Sequence, residues 1–451
     1  PDYLRPLWPK FEALHLNTLI VPAYWDLIEP EENRFEFGAL DDIIRQARGH
    51  RMKLVLLWFG SWKNSMSCYV PGWIKRDPAR FPRAVDAHGN RLEMLSPFYA
   101  ANQEVDARAF AALMRHLREF DAADRTVLMV QVENEVGMIP CARDHSPAAN
   151  RAYAEPVPAQ LIALGNARGG TWAEVYGGGP SGEERFTAWH LARYVEAVAA
   201  AGKREYPLPM YVNAALIRPD YQPGQYPSGG PLPHLFELWR AAAPDIDLLS
   251  PDIYFRDFAG WAARYRRPGN PLFIPESRPG PESAANGLYA YGALDALGFS
   301  VFSIDSLDAP TTRYLSEAFD AVAQLEPALI ADGPLGRTAG VLPAGPEQLQ
   351  PKQLRLGGYV VDVRFGPAPS GGLLIADAPD RFIIAGIGLT LRFRVDKPGV
   401  SAGILNDEEG RWVGGHWRNR LWLGGDQTNQ GRFIRLPGDR VSIQRVTLYR
   451  Y

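Results

Sequence analysis

The sequence predicts an α/β fold, a (β/α)8 barrel, followed by a C-terminal antiparallel β-sandwich. Three observations predict it. Short apolar runs alternate with helical periods over most of the chain, which is the pattern of a parallel sheet. Several of those runs end in polar residues, as barrel strands do where they deliver side chains to a carboxyl-terminal face. After about residue 330 the helical periods vanish and Gly-punctuated alternating strands take over. The 451 residues therefore divide into a barrel over 1–330 and a sandwich over 331–451.

Taken in order, residues 17–21 are a branched apolar run leading to Trp25 and the acidic loop Glu29, Pro30, Glu31, Glu32. Residues 41–47 read as a helix, and 53–59 (KLVLLWF) as a second buried strand that runs into Gly60, Ser61, Trp62, Lys63 and Asn64. A helix over 104–120 puts Phe110, Leu113, Met114 and Leu117 on one face, and the third strand, 127–133, follows it. The stretch 137–184, rich in Gly, Pro and Ala, is expected to be a long loop overhanging the site. Then come a helix at 185–201, a strand at 210–213, a helix at 235–243, and strands at 246–254, 272–276 and 299–304. A helix over 311–325 is expected to stop before Pro327. Pro22, Pro251 and Pro275 are expected near strand ends, where a ladder is finishing. Seven strands are one short of a closed barrel, so the first strand is expected upstream of residue 1. In the sandwich, 359–365, 389–395 and 441–449 alternate cleanly.

Composition narrows the partner. With 48 basic and 51 acidic residues the chain has little net charge, which suggests neither nucleic acid nor an anionic membrane surface. No run of 18 apolar residues exists to span a membrane. Two cysteines and eight scattered histidines show no zinc-ligand spacing, so neither a catalytic metal nor a cofactor is expected. Aromatics make up 11%, with 12 Trp, which suits stacking on sugar rings, although core packing explains most Trp equally well. A carbohydrate is the expected partner, and a homo-oligomer is compatible with the sequence. An exported compartment, periplasmic or extracellular, is somewhat favoured. Cys68 and Cys141, in the loops after neighbouring strands, are equally compatible with a disulfide and with two free thiols.

The chemistry centres on residues 128–137 (LMVQVENEVG), an apolar run that ends in two carboxylates around an asparagine. On a period of two, Leu128, Val130 and Val132 face one way while Met129, Gln131, Glu133 and Glu135 face the other. Unpaired buried carboxylates cost several kcal/mol, so something must meet them. A second strand end presents Glu276, in Phe273, Ile274, Pro275, Glu276, Ser277, Arg278. Displacement at an acetal carbon needs a nucleophile on one face and a proton donor for the leaving oxygen on the other, and two carboxyls supply both.

The Q-V-E-N-E-V-G end of one strand, with a Glu ending a later one, resembles the clan of retaining glycoside hydrolases built on this barrel. It is most similar to the family 35 β-galactosidases. The resemblance implies that Glu135 is the acid/base, Glu276 the nucleophile, and Asn134 the residue that binds the sugar 2-hydroxyl. Residues 17–30 (NTLIVPAYWDLIEP) also resemble the family's second-strand pattern. Pro22 stands where many of these enzymes have Tyr, with Tyr24 two residues on, and the loop Phe59, Gly60, Ser61, Trp62 has no clear counterpart of the usual galactose-contacting acid. Tyr24, Trp62, Tyr254 and Arg278 are the further expected substrate contacts, with Tyr254 also placed to donate its hydroxyl to Glu276. Glu133 is expected to be buried support. Burial and repulsion are expected to raise Glu135, and hydrogen bonds to lower Glu276. The implied activity is that of a retaining exo-acting β-galactosidase. Another retaining β-glycosidase of the clan, a β-glucosidase or a mannanase, and a non-catalytic carbohydrate-binding barrel are the alternatives.

Overall fold

A computed structural model gives the fold and describes residues 1–165, 168–330, 337–345 and 347–451. The chain forms two compact units, one of Pro1–Pro6 with Asn17–Asp252 and the other of Leu7–Leu16 with Ile253–Tyr451. Parallel strands alternating with helices run through the first unit and into the second, giving the barrel-like α/β part of the fold, and antiparallel sheets follow. The expected domain boundary after residue 330 abuts 331–336, which lie outside the described residues, as do 166–167 within the expected long loop.

In the first unit the strands Thr18–Tyr24, Lys53–Lys63, Val127–Asn134, Met210–Ala215 and Leu248–Ile253 pair in parallel in that order. Thr18–Tyr24 alternates half-buried and buried residues along its length, as a strand with one face in the core does. Pro22 sits inside this strand, and among the described residues the strand has a partner on one side only, which is where a missing N–H is tolerated. Lys53–Lys63 is buried along all its inner residues, as expected where both faces are covered. The helices Gly38–Gly49, Ala100–Asp121, Pro180–Glu205 and Phe236–Ala242 supply the crossovers. Residues 137–184 are not a bare loop, because the short helices Pro147–Ala154, Ala159–Gly165 and Trp172–Tyr176 lie within them. Two of the three have side-chain caps: Ser146 accepts from the Ala149 N–H, and Thr171 with Glu174 forms a capping box.

In the second unit Pro275 splits the sixth expected strand. Phe273–Ile274 pairs in parallel with Gly298–Phe299, while Glu276–Ser277 continues the sheet beside Ile253, whose carbonyl accepts from the Arg278 N–H at 3.0 Å. Lacking an N–H, Pro275 cannot join a ladder, and the strand changes neighbours there. The helix Ala309–Ile330 runs through Pro327 rather than ending before it; only the last turn loses a hydrogen bond. The N-terminal helix Trp8–Ala13 is fastened to this unit by Lys10 Nζ, which donates to Asp305 O at 2.6 Å, and by Ser316 Oγ, which donates to Ala13 O at 2.8 Å.

The antiparallel part has one six-stranded and one four-stranded sheet. Their facing sides bury Tyr359, Val361, Val363, Leu374, Phe382, Leu391 and Phe393 between them. The other side of the six-stranded sheet takes two helices: Ala284 and Leu288 of Ser283–Leu294, with Ala318, Ala321 and Leu325 of Ala309–Ile330, pack on Leu373, Ile375, Ile383 and Ile443. Alanines on both helices allow this close approach. Among the described residues no helix is long and apolar enough to cross a membrane.

Candidate active site

The strand Val127–Asn134 does not end on a simple alternation. Glu133 and Glu135 both have left-handed backbones, with φ of 63° and 45°, so the period-two reading fails over its last residues. Side-chain L-residues adopt this region rarely and at a cost, and such conformations gather at functional sites. The turn is held locally. Gln131 Nε2 donates to Glu133 O at 2.8 Å, and the Glu135 N–H donates to Asn213 Oδ1 at 2.8 Å.

Beneath the turn, Glu133 is fully buried and accepts from the Trp62 N–H at 2.7 Å. Its neighbour Asp106, also fully buried, accepts from Trp58 Nε1 at 2.8 Å and from the Ser61 N–H at 3.1 Å. Burial first, and then the charge of the Asp106 carboxylate, pushes the Glu133 pKa well above the usual carboxylate range. The chain reaches both carboxyls only because Gly60 has no side chain: a Cβ there would sit 2.7 Å from Glu133 Oε1 and 2.3 Å from the Trp58 ring. Glu133 therefore occupies an interior network.

Above it, Asn134 and Glu135 are buried, and both polar atoms of the Asn134 side chain lack a hydrogen-bond partner among the described residues. A buried amide in that state is where a polar ligand is expected. Asn213, on the next strand, ties the backbone of Glu135 to Asp252: its Nδ2 donates to Asp252 Oδ2 at 2.6 Å. A carboxylate oxygen of Glu135 lies within 4.8 Å of one from Asp252. Asn213, Asp252 and Asp106 were not expected at the site. Polar residues in otherwise apolar strand patterns, as in Met210–Ala215 and Leu248–Ile253, were the available signal.

In the second unit the Tyr254 hydroxyl donates to Glu276 Oε2 at 2.6 Å. Ser277, facing the opposite way, is buried and donates to Ser300 O at 2.7 Å, which fixes the strand that carries Glu276. Arg278 is exposed. Asp308 caps the helix Ala309–Ile330 by accepting from the Thr311 N–H, and that hydrogen bonding lowers its pKa.

Trp62, expected to meet sugar, is interior, as are two other tryptophans. Trp25, Trp58 and Trp62 are inaccessible, and their indole N–H groups are committed to Glu29, Asp106 and Leu95 O respectively. Trp62 is thus corrected from a substrate contact to a core residue, packed on Tyr194. Tyr24 is half-buried, with its ring against Phe59 and Tyr69, and burial raises its pKa. Cys68 and Cys141 are free thiols: Cys68 is exposed, while Cys141, pushed up to about 11 mainly by burial, donates to Arg143 O.

Comparison with known proteins separates families that the strand-end motif cannot. Residues 10–176 match a family model described as β-galactosidase, glycoside hydrolase family 42. The likeness is to family 42, not family 35. The correction has a simple cause: Asn-Glu at one strand end and Glu at a later one are features of the whole clan, and the expected family rested on them. Residues 315–435 match a second model, described as a domain of unknown function, DUF5597. Among curated proteins, a β-galactosidase from Arthrobacter sp. is 28% identical over 232 residues, covering 44% of this chain and 32% of that protein. One from Xanthomonas manihotis is 26% identical over 155 residues, covering 33% and 24%. The chain thus spans about a third or less of the length of these relatives. Among solved structures, the β-galactosidases of Bacillus circulans sp. alkalophilus and Marinomonas ef1 each superpose with a TM-score of 0.52, at 16% and 14% identity. They cover 72% and 73% of this chain, and 54% and 58% of their own chains are matched. That likeness is one of fold.

Proposed function

We propose that the chain is a retaining β-galactosidase that removes terminal β-galactosyl units from oligosaccharides or polysaccharide side chains. The observation that carries this reading is the strand end Asn134–Glu135, where a buried asparagine amide with no partner among the described residues stands beside a carboxylate whose backbone is fixed by Asn213. The family 42 match over residues 10–176 and the β-galactosidases among the relatives support the choice of sugar.

In this reading the Glu276 carboxylate attacks the anomeric carbon. The bond from that carbon to the leaving oxygen breaks, and that oxygen takes the carboxyl proton of Glu135. A water then attacks the glycosyl-enzyme, gives its proton to Glu135 and releases Glu276, so the configuration is retained. Such a mechanism sets the two carboxyls about 5 to 5.5 Å apart, with one protonated and the other ionised before the first step. Tyr254 donates its hydroxyl to Glu276, and a donor of that kind favours the ionised carboxylate. Asn134 takes a sugar hydroxyl, and Tyr24 and Arg278 are further contacts to the substrate.

The test is turnover of nitrophenyl β-galactoside against the corresponding glucoside, mannoside and xyloside. Preference for the galactoside by at least about ten-fold in kcat/KM is the expected result. Preference for another sugar would move the chain to a different β-glycosidase activity. Binding of galactose with no turnover of any of the four would make it a non-catalytic carbohydrate-binding barrel.

A further inference from the structure

The second unit holds a half-open cavity of about 360 Å³, and of the residues that line it the reading above uses only Arg278. Its size falls at the lower end of the roughly 300–1,000 Å³ of small-molecule sites. Polar side chains converge on it from three segments: Arg256 after the strand Leu248–Ile253, Arg278 and Asn286 around the start of the helix Ser283–Leu294, and Lys352 and Ser370 from the antiparallel part. Phe258 and Leu342 provide apolar wall.

The polar groups are not occupied by one another. Among the described residues the side chains of Arg256, Arg278 and Lys352 make neither a hydrogen bond nor an ion pair. Ser370 is 3% exposed, and its hydroxyl has no partner among the described residues. Leaving a buried hydroxyl unpaired costs about 1–3 kcal/mol, so native structures rarely keep one without a ligand or water to meet it. The wall also carries acceptors, Glu282 and Glu347, which would repel a phosphate or a carboxylate drawn by the cations. Donors and acceptors in one wall together with apolar side chains match an uncharged sugar, which presents hydroxyls at its edge and C–H groups on its face.

The place of the cavity links it to the proposed chemistry. Arg278 follows Glu276 by two residues, and Ile253, also in the wall, directly precedes the Tyr254 that holds Glu276. We propose that the cavity is a subsite for an uncharged sugar unit of the same substrate, beyond the bond that is cleaved, so that the antiparallel part helps to select longer galactosides. This inference rests on the glycosidase reading of Glu276.

Two variants test it in the full chain. Ser370→Leu fills the cavity, and Lys352→Ala removes a donor at an exposed strand start, so a folding defect in the first does not decide the matter. For each, kcat/KM is measured on nitrophenyl β-galactoside and on a β-linked galactotetraose. The ratio of tetraose to nitrophenyl efficiency should fall about ten-fold or more, through KM, because only the longer substrate reaches the cavity. An unchanged ratio in both variants overturns the subsite. Cavity-dependent preference for galacturonate-containing chains over the neutral tetraose overturns the choice of an uncharged sugar. If the wild type cleaves neither substrate, the glycosidase reading fails by itself, and calorimetry then decides the cavity. Tetraose binding that is lost in both variants supports it, and equal or absent binding in all three proteins ends it.

Discussion

Replacing Tyr254 with Phe tests how the proposed nucleophile is kept ionised. The hydroxyl donates to Glu276 Oε2 at 2.6 Å, a short bond to a charged acceptor. Bonds of that kind are worth about 1.5–3 kcal/mol. A donor that favours the charged form makes the carboxylate easier to ionise, and about 1.4 kcal/mol corresponds to ten-fold, so removing it should cut the ionised fraction about 10- to 100-fold at a given acid pH. The sign follows directly: the variant needs a higher pH to hold an ionised nucleophile, and the acid limb of its kcat/KM profile moves upward. On that limb each unit costs ten-fold, so in mildly acid buffer the variant should be about 10- to 100-fold slower, while at higher pH the two enzymes converge to within a few-fold. The assay is the pH profile of kcat/KM on nitrophenyl β-galactoside. An acid limb that stays in place while activity drops equally at every pH would refute the reasoning and would assign Tyr254 to the sugar instead.

The two glutamates should fail differently when replaced. Glu276→Ala should abolish turnover on every substrate, whereas Glu135→Ala should keep a burst on dinitrophenyl galactoside, whose leaving group needs no proton, and azide should then release the β-azide; an α-azide would reverse the roles. Glu133→Gln should melt within about 1 kcal/mol of wild type, because burial and Asp106 already disfavour a charge on Glu133, while Glu133→Ala strands the Trp62 N–H and should cost about 1–3 kcal/mol; comparable melting of the two variants would contradict that account. Asp407, 1% exposed and without a hydrogen-bond partner on either oxygen among the described residues, is pushed up to about 7 by burial and by the charges of Glu409 and Glu408. Its folded pKa lies above the unfolded value near 3.9, so its contribution to stability is present below that value and is lost as pH rises through 7; Asp407→Asn should gain several °C over wild type at pH 8 to 9 and almost nothing near pH 4, and an equal shift at both would exclude the charge as the cause.

What the sequence made legible follows from which forces act locally. Buried parallel strands are near-continuous apolar runs, so Lys53–Lys63 and Val127–Asn134 were visible, and the alternation of Tyr359–Phe365 marked a strand with those same ends. The carboxylates stood out because an apolar run seldom ends in two of them. The left-handed turns at Glu133 and Glu135 were not legible, since residue type does not announce them, and one of the groups that hold them, the Asn213 Oδ1 that accepts from the Glu135 N–H, is brought there only by the fold. The same holds for the tryptophans. An indole beside a polar loop reads equally as a sugar platform or as a core ring, and what settled Trp62 was a carbonyl 33 residues away, Leu95 O, that takes its N–H. Long-range partners also explain why Asp106 escaped notice: on a helical pattern it is one polar residue among several, and only the fold brings it to the Trp58 indole and the Ser61 N–H. The unread part of the site is therefore its supporting layer. Its residues act through hydrogen bonds that span tens of positions, whereas the strand-end residues Asn134, Glu135 and Glu276 stand out in the local pattern and in the resemblance that the pattern carries.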